Sequence, residues 1–373
     1  MNVLSRISKN NFSVFFVIFL FSLFGLVMVF SSSSLISQDS YGNPWYYFNK
    51  QLIFLIISIS AFFIVQLINL NWLIKNSSYL LIINFILLLL VFNTNLNHTV
   101  GIAQRWIKIG SLTFQPVESL KIFLALYFTK KLLEFDEERI FEVTHFKKVL
   151  FPVMLICFIS IVLLLLQPDF GNAFIVLSLL FFSLYIVGVK LKYLFYSIIV
   201  SLPLLIVTIF GQDYRRKRIL AFLNPWENAN DSGYQIVQSF LAFFTGGFWG
   251  SGIGNSIEKR FFLPEAHTDF IFSVIGEEIG FFGAGLIVCF YLFIMYKLIL
   301  LIINNESLKN KILSSTLLFV IIWQAILNLF VVTGMLPTKG LPLPLVSYGG
   351  SSLLCTFIML GLIFSSLKNN QYE

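Results

Sequence analysis

The chain has 373 residues, of which 58% are hydrophobic and only 12% charged, with a formal net charge of +7 and a mean hydropathy of +0.87. A soluble domain carries about 25% charged residues, so this composition excludes a water-soluble globular fold and makes lipid the solvent for much of the surface. The positive charge does not indicate a nucleic-acid partner, because the basic residues lie in short segments between apolar runs.

A helix needs roughly 20 residues to cross the hydrocarbon. Runs that meet or approach that length lie at about 12–30, 48–69, 78–93, 118–133, 149–167, 171–189, 192–210, 270–302, 312–335 and 345–366. They are too long and too uniformly apolar for barrel strands, which predicts an all-α integral membrane protein with about ten transmembrane helices. The chain reads as a single polytopic membrane domain over 1–373. Residues 211–270 form one long extracytoplasmic loop between candidate helices 7 and 8. The first run follows Arg6 and Lys9 and has the length of a retained span, which anchors the N-terminus inside. Most other Lys and Arg, from Lys75, Lys130 and Lys131 to Lys309 and Lys311, then fall on the same side, and both termini are cytoplasmic.

The exceptions to that charge rule carry the functional reading. Arg105 and Lys108 lie on the outer side in Gln104-Arg105-Trp106-Ile107-Lys108. Just beyond, Glu118 and Lys121 are i,i+3 neighbours on one helix and neutralise one another. Gln167-Pro168-Asp169-Phe170-Gly171 breaks one span and opens the next, where Asp169 caps or pairs. The loop 211–270 begins with Arg215-Arg216-Lys217-Arg218 and contains a short apolar stretch, Tyr234 to Phe244, suited to a re-entrant or interfacial helix. The glycine run 246–254 has neither a preceding strand nor a following Lys-Ser/Thr, so it reads as a turn rather than a phosphate cradle. The outward basic residues either meet lipid headgroups and water or hold a polyanion such as a diphosphate.

The loop ends in Leu263-Pro264-Glu265-Ala266-His267-Thr268-Asp269-Phe270 directly before a helix. Asp269 is there either a helix cap or a general base at the water–lipid boundary. Glu277 and Glu278 lie about 12 Å deeper by helical rise, where charge needs a partner, and basic residues are the candidates. Cys157, Cys289 and Cys355 sit in separate apolar runs without a CxxC pair, and His98, His145 and His267 are scattered, so neither set forms a metal site.

Taken together these residues resemble the SEDS family of shape, elongation, division and sporulation proteins over nearly the whole chain. The resemblance rests on Arg105-Trp106-Ile107, Phe114-Gln115-Pro116 with Glu118 and Lys121, Gln167-Pro168-Asp169-Phe170-Gly171 and Ser232-Gly233-Tyr234-Gln235. It extends through Pro264-Glu265-Ala266-His267-Thr268-Asp269-Phe270, Thr338-Lys339-Gly340 and Ser347-Tyr348-Gly349-Gly350. Gln104 and Val117 depart from the family's usual Arg and Ser. The Pro-Glu-Ala-His and Pro-Thr-Lys-Gly versions are closer to the division branch than to the elongation branch.

The resemblance implies a peptidoglycan glycosyltransferase that polymerises lipid II, an undecaprenyl diphosphate-linked disaccharide peptide, outside the bacterial cytoplasmic membrane during septal wall synthesis. It implies Asp269 as the catalytic base. Arg105, Trp106, Lys108, Arg215, Arg216 and Arg218 are candidates to bind substrate. His267 and Thr268 either position Asp269 or the acceptor or merely shape the turn. Glu118, Lys121, Asp169 and Glu277 take structural or pairing roles. No cofactor is expected, although a divalent cation could share the diphosphate charge. The implied partners are a class B penicillin-binding protein, other division proteins and membrane lipids. A lipid II flippase and a non-catalytic division scaffold are the rival functions.

Overall fold

The structure, a computed structural model, describes residues 9–92, 97–100, 103–110, 112–136, 138, 142–196, 199, 213–259 and 262–368. Long apolar helices dominate it. They are α1 (Lys9–Tyr41), α2 (Tyr46–Val65), α3 (Leu70–Lys75), α4 (Ser77–Leu90), α5 (Pro116–Leu132) and α6 (Val143–Leu166). There follow α7 (Phe170–Ile186), α8 (Asp213–Leu223), α9 (Tyr234–Gly246), α10 (Ile271–Ile303), α11 (Leu308–Val332) and α12 (Gly350–Lys368). Among the described residues six helices are long and apolar enough to cross a membrane, and α4 and α7 are shorter apolar helices. With α5, these cover nine of the ten expected spans; most of 192–210 lies outside the described residues. The chain is therefore an integral membrane protein with an all-α frame. Side chains such as Ile56, Ile64, Tyr79, Phe158 and Phe281 stay exposed on the bundle's flank, where acyl chains would cover them.

Two features depart from the expectation. Residues 97–114 build a small antiparallel sheet, β1 (Asn97–Val100), β2 (Ala103–Ile109) and β3 (Leu112–Phe114), in the order β1-β2-β3. The stretch 211–270 contains a helix that the sequence does not predict, α8 over the basic run, whereas α9 falls on the apolar stretch Tyr234 to Phe244 that suits one. The helix starts follow local chemistry. Pro116 opens α5 with Glu118 in its first turn and Lys130 and Lys131 in its last, complementing the helix dipole at both ends. The Asp169 carboxylate caps α7, accepting from the Asn172 N–H at 3.2 Å.

Helix α10 is broken at Gly280, whose φ of 75° and ψ of −172° are accessible to glycine and strained for other residues. The break frees backbone groups that lipid could not satisfy. The glycine-rich run satisfies them: Ser251 and Gly252 donate their N–H groups to the carbonyls of Glu277 and Glu278, each at 2.9 Å. In return Phe281 donates to Gly247 at 2.9 Å and Phe282 to Phe248 at 3.2 Å. Gly250 must be glycine for this contact, since a Cβ there would lie 2.2 Å from the Glu278 carbonyl oxygen. The run is thus the packing partner of a discontinuous helix.

Candidate active site

Asp269 sits in a tight turn ahead of α10. Glu265 adopts a φ of 57°, and its carbonyl accepts from the N–H groups of Thr268 at 3.1 Å and Phe270 at 3.2 Å. Thr268 Oγ1 donates to Glu265 Oε2 at 2.7 Å. Three successive carbonyls are then held from outside the turn. Tyr348 N–H donates to His267 at 2.9 Å, Ser347 Oγ to Thr268 at 2.6 Å, and Asn328 Nδ2 to Asp269 at 2.7 Å. Asn328 Nδ2 also donates to the Leu341 carbonyl at 2.7 Å, tying the turn to the segment that carries Gly340. The backbone is fixed, and the N-cap position of α10 belongs to Phe270, with no side-chain cap bond. The Asp269 carboxyl is left to face the space in front of it.

That space is a cleft of about 960 Å³ lined by Asp269, Arg105, Trp106, Lys108, Arg218, His267 and Thr268, among others. Arg105 reaches in from β2. Its Nε lies 3.7 Å from Asp169 Oδ2, and one of its Nη groups donates to the Pro168 carbonyl. Arg218 comes from α8, where its Nη1 donates to the Thr338 carbonyl at 2.8 Å. Gly340, at φ 67°, marks where two of these groups meet: a Cβ built there would lie 3.4 Å from Asp269 Oδ2 and 3.6 Å from Arg105 Nη1. Both distances are ordinary contacts, so the left-handed backbone rather than lack of space favours glycine here. A second cavity of about 530 Å³ adjoins the cleft and shares Arg218, Gln235 and Thr338 with it.

Electrostatics poise the carboxyl for proton transfer. Burial pushes the Asp269 pKa up to about 7, Glu265 and Asp169 push the same way, and the Arg105 and Arg218 charges oppose them. The group therefore changes charge near neutrality, where a general base works best. Burial depresses the His267 pKa against the pull of Glu265, so the ring is neutral at pH 7, and it packs on Tyr47 with centroids 4.6 Å apart.

The remaining expected site residues lie elsewhere. Arg216 is exposed and borders neither cavity, and the Arg215 side chain lies outside the described residues. Lys121 Nζ forms a closed, buried contact with Glu118 Oε1 and Gln324 Oε1, both at 2.8 Å. Asp169 caps α7 and pairs with Arg105. Glu277 finds no basic partner among the described residues: it accepts from the Ile257 N–H at 2.7 Å and from Ser256 Oγ. Its neighbour Glu278 takes the cation, Lys259 Nζ, at 2.8 Å. No three His, Cys, Asp or Glu side chains among the described residues converge on a point where they could hold a metal ion. The sequence reading missed Lys50 and the tyrosines 41, 46, 47 and 348, which line the same cleft. Three of those tyrosines flank one helix junction, 41–47, and that clustering was their signal.

Comparison with known proteins places this geometry in context. The family of FtsW, RodA and SpoVE cell cycle proteins matches residues 11–372. A Francisella salina protein named "Probable peptidoglycan glycosyltransferase FtsW" is 39% identical over 94% of this chain and 87% of its own length. One of the same name from Geobacter sp. (strain M18) is 36% identical, covering 96% of this chain and 97% of its own. A solved chain from a study titled "Structural coordination of polymerization and crosslinking by a peptidoglycan synthase complex" superposes with a TM-score of 0.78 at 27% identity, covering 97% and 98% of the two chains. Thermus thermophilus RodA, at 24% identity and a TM-score of 0.69 over 97% of each chain, shares the fold.

Proposed function

Since the chain belongs to the FtsW, RodA and SpoVE family of cell cycle proteins, we propose that it is a peptidoglycan glycosyltransferase that polymerises lipid II and works with a class B penicillin-binding protein. Asp269 is its general base. One observation carries the role: a carboxyl titrating near neutrality stands at the edge of a roomy cleft, flanked by Arg105 and Arg218.

The chemistry is a single inverting displacement. The donor sugar carries an α-linked diphosphate and the new glycan bond is β-1,4. The acceptor's 4-hydroxyl oxygen attacks the anomeric carbon of the donor, and the bond from that carbon to the diphosphate oxygen breaks. The hydroxyl proton passes to the Asp269 carboxylate, as it does to the base of an inverting glycosidase. Diphosphate is already a good leaving group, so the departing charge needs cations rather than a proton. Arg105 and Arg218 supply them in forked geometry. Thr268 and His267 shape the turn that aims the carboxyl. The cleft faces the extracytoplasmic side in this reading, both termini are cytoplasmic, and the work is done at the division site.

A flippase would rest on titratable groups spread through the membrane depth. The deeper charges, Glu118 with Lys121 and Glu278 with Lys259, are each engaged by a close partner, which favours the polymerase. The test is to supply lipid II to the purified protein with its penicillin-binding partner. The parent makes glycan strands, and Asp269→Asn makes none while still expressing and holding its partner. Full polymerisation by that variant would remove Asp269 as base.

A further inference from the structure

The second cavity, of about 530 Å³, has no part in the displacement derived above. Arg218, Gln235 and Thr338 line both spaces, so this cavity begins where the cleft ends. Its other walls are Lys217 on α8, Asp231, Ser232 and Tyr234 around the start of α9, and Pro264 ahead of the Asp269 turn.

The Ser232-Gly233-Tyr234-Gln235 motif, which the base and the two arginines leave unexplained, builds this wall. Gly233 closes a turn over 224–233 by donating its N–H to the Asn228 carbonyl at 3.0 Å. A Cβ there would lie 2.6 Å from the Pro225 carbonyl oxygen and 2.9 Å from that of Asn228, so glycine is what lets the turn close. Ser232 Oγ donates to the Lys217 carbonyl at 3.5 Å, which ties the turn to α8. Helix α9 then starts in the cavity wall with no side-chain cap bond, leaving the positive end of its dipole uncovered by a side chain.

The lining is polar and carries both signs of charge. Lys217 and Asp231 are exposed, and neither forms an ion pair among the described residues. The Tyr234 hydroxyl and the Gln235 amide, both half-buried, make no hydrogen bond among the described residues either. These groups contrast with the paired charges deeper in the bundle, and their chemistry narrows the occupant. A prenyl chain lacks an apolar wall to lie on, a diphosphate is repelled by Asp231, and a neutral sugar leaves both charges unused. A short peptide uses them all. Its carboxylates suit Lys217 and the N-terminus of α9, an ammonium group suits Asp231, and its amides suit Ser232, Tyr234 and Gln235.

We propose that this cavity is a subsite for the peptide that branches from the disaccharide of lipid II, and that Lys217 and Asp231 recognise its charged groups. The inference rests on the polymerase reading and gives a place to the part of the substrate that does not react. With the reacting sugar at Asp269, the shared wall of Arg218, Gln235 and Thr338 is where the branch passes from cleft to cavity. The volume lies within the roughly 300–1,000 Å³ of small-ligand pockets.

The test measures binding by native mass spectrometry to purified Asp269→Asn protein, in which turnover is removed. The probes are lipid II and the same undecaprenyl diphosphate disaccharide without its peptide. Lipid II should bind at least about tenfold more tightly, the worth of one charge-assisted hydrogen bond. Adding Lys217→Gln with Asp231→Asn should cut that preference below about twofold, while affinity for the peptide-free lipid and thermal unfolding stay unchanged. Lys217→Gln alone should already reduce the preference, and Arg216→Gln, whose side chain borders neither cavity, should keep it. Equal binding of the two lipids before these changes, a preference that survives them, or equal loss of both lipids overturns the subsite. Polymerisation by the parent is measured in parallel. Failure there, with the peptide preference intact, removes the enzyme reading and leaves the peptide subsite standing.

Discussion

The Glu118–Lys121 pair inside α5 and the Lys259–Glu278 pair between the glycine-rich segment and α10 are closed systems, whereas the charges around Asp269 share one open cleft. In the closed systems the paired charges lie 2.8 Å apart; Lys121 also donates to Gln324, and Ser31 bonds both Lys259 and Glu278, while the second Glu118 oxygen is buried without a partner. Glu277 is likewise engaged, by backbone N–H groups and Ser256. None of these groups borders the cleft. At the cleft, Arg105 and Arg218 give part of their donor capacity to the carbonyls of Pro168 and Thr338, while the Asp269 carboxyl is pinned through its backbone rather than consumed by its side chain. Burying a charge inside a closed pair holds a broken helix together. Burying one at an open cleft raises its pKa and makes it a reagent.

That contrast can be broken or sharpened by substitution. The largest effect belongs to Asp269→Asn, which should lower polymerisation by about 10²- to 10⁴-fold, the usual worth of a general base, measured as glycan strand yield from lipid II. The linkage sign gives the same variant a second signature. A carboxyl whose folded pKa is raised stabilises the fold below its unfolded pKa near 4, and that contribution is lost as pH rises through about 7. Asp269→Asn should therefore melt at a higher temperature than the parent at pH 8, and the difference should vanish at pH 4.

Next comes Lys259→Met, which strands Glu278 in a closed network and should destabilise the protein by about 3–5 kcal/mol in thermal unfolding. Lys259→Met with Glu278→Leu should recover most of that, because a well-packed apolar pair replaces a buried ion pair at little loss. Gly280→Ala should follow, at about 1–3 kcal/mol from the forced backbone alone, since a Cβ there also meets the Gly250 nitrogen at 2.4 Å. The smallest effects separate two neighbours on α8. Arg218→Gln should raise KM for lipid II about tenfold, whereas Arg216→Gln, exposed and away from the cleft, should change it less than about twofold.

Much of the frame is legible from composition and run length alone, because lipid allows few ways to satisfy a backbone. Asp269, Arg105 and the Glu118–Lys121 pair are legible too, since charge beside an apolar run stands out. Orientation on an element is not. Arg216 and Arg218 are two residues apart on a helix, about 200° around its axis, so a basic run that reads as one patch divides between solvent and cleft. Glu277 and Glu278 look equivalent in sequence, yet one turns to backbone donors and the other to Lys259. The tyrosines at 41, 46 and 47 sit more than 200 residues from Asp269, and the folded bundle is what makes them its neighbours.

The central claim is that Asp269 works as a base whose affinity for protons is set by burial against Arg105 and Arg218. The most direct measurement is the pH profile of polymerisation in the parent and in Arg218→Gln. The parent's rate should rise with pH through a midpoint near 7, and removing one opposing cation should move that midpoint upward. A profile that is flat across neutrality, or a midpoint that stays in place when Arg218 is neutralised, would contradict it.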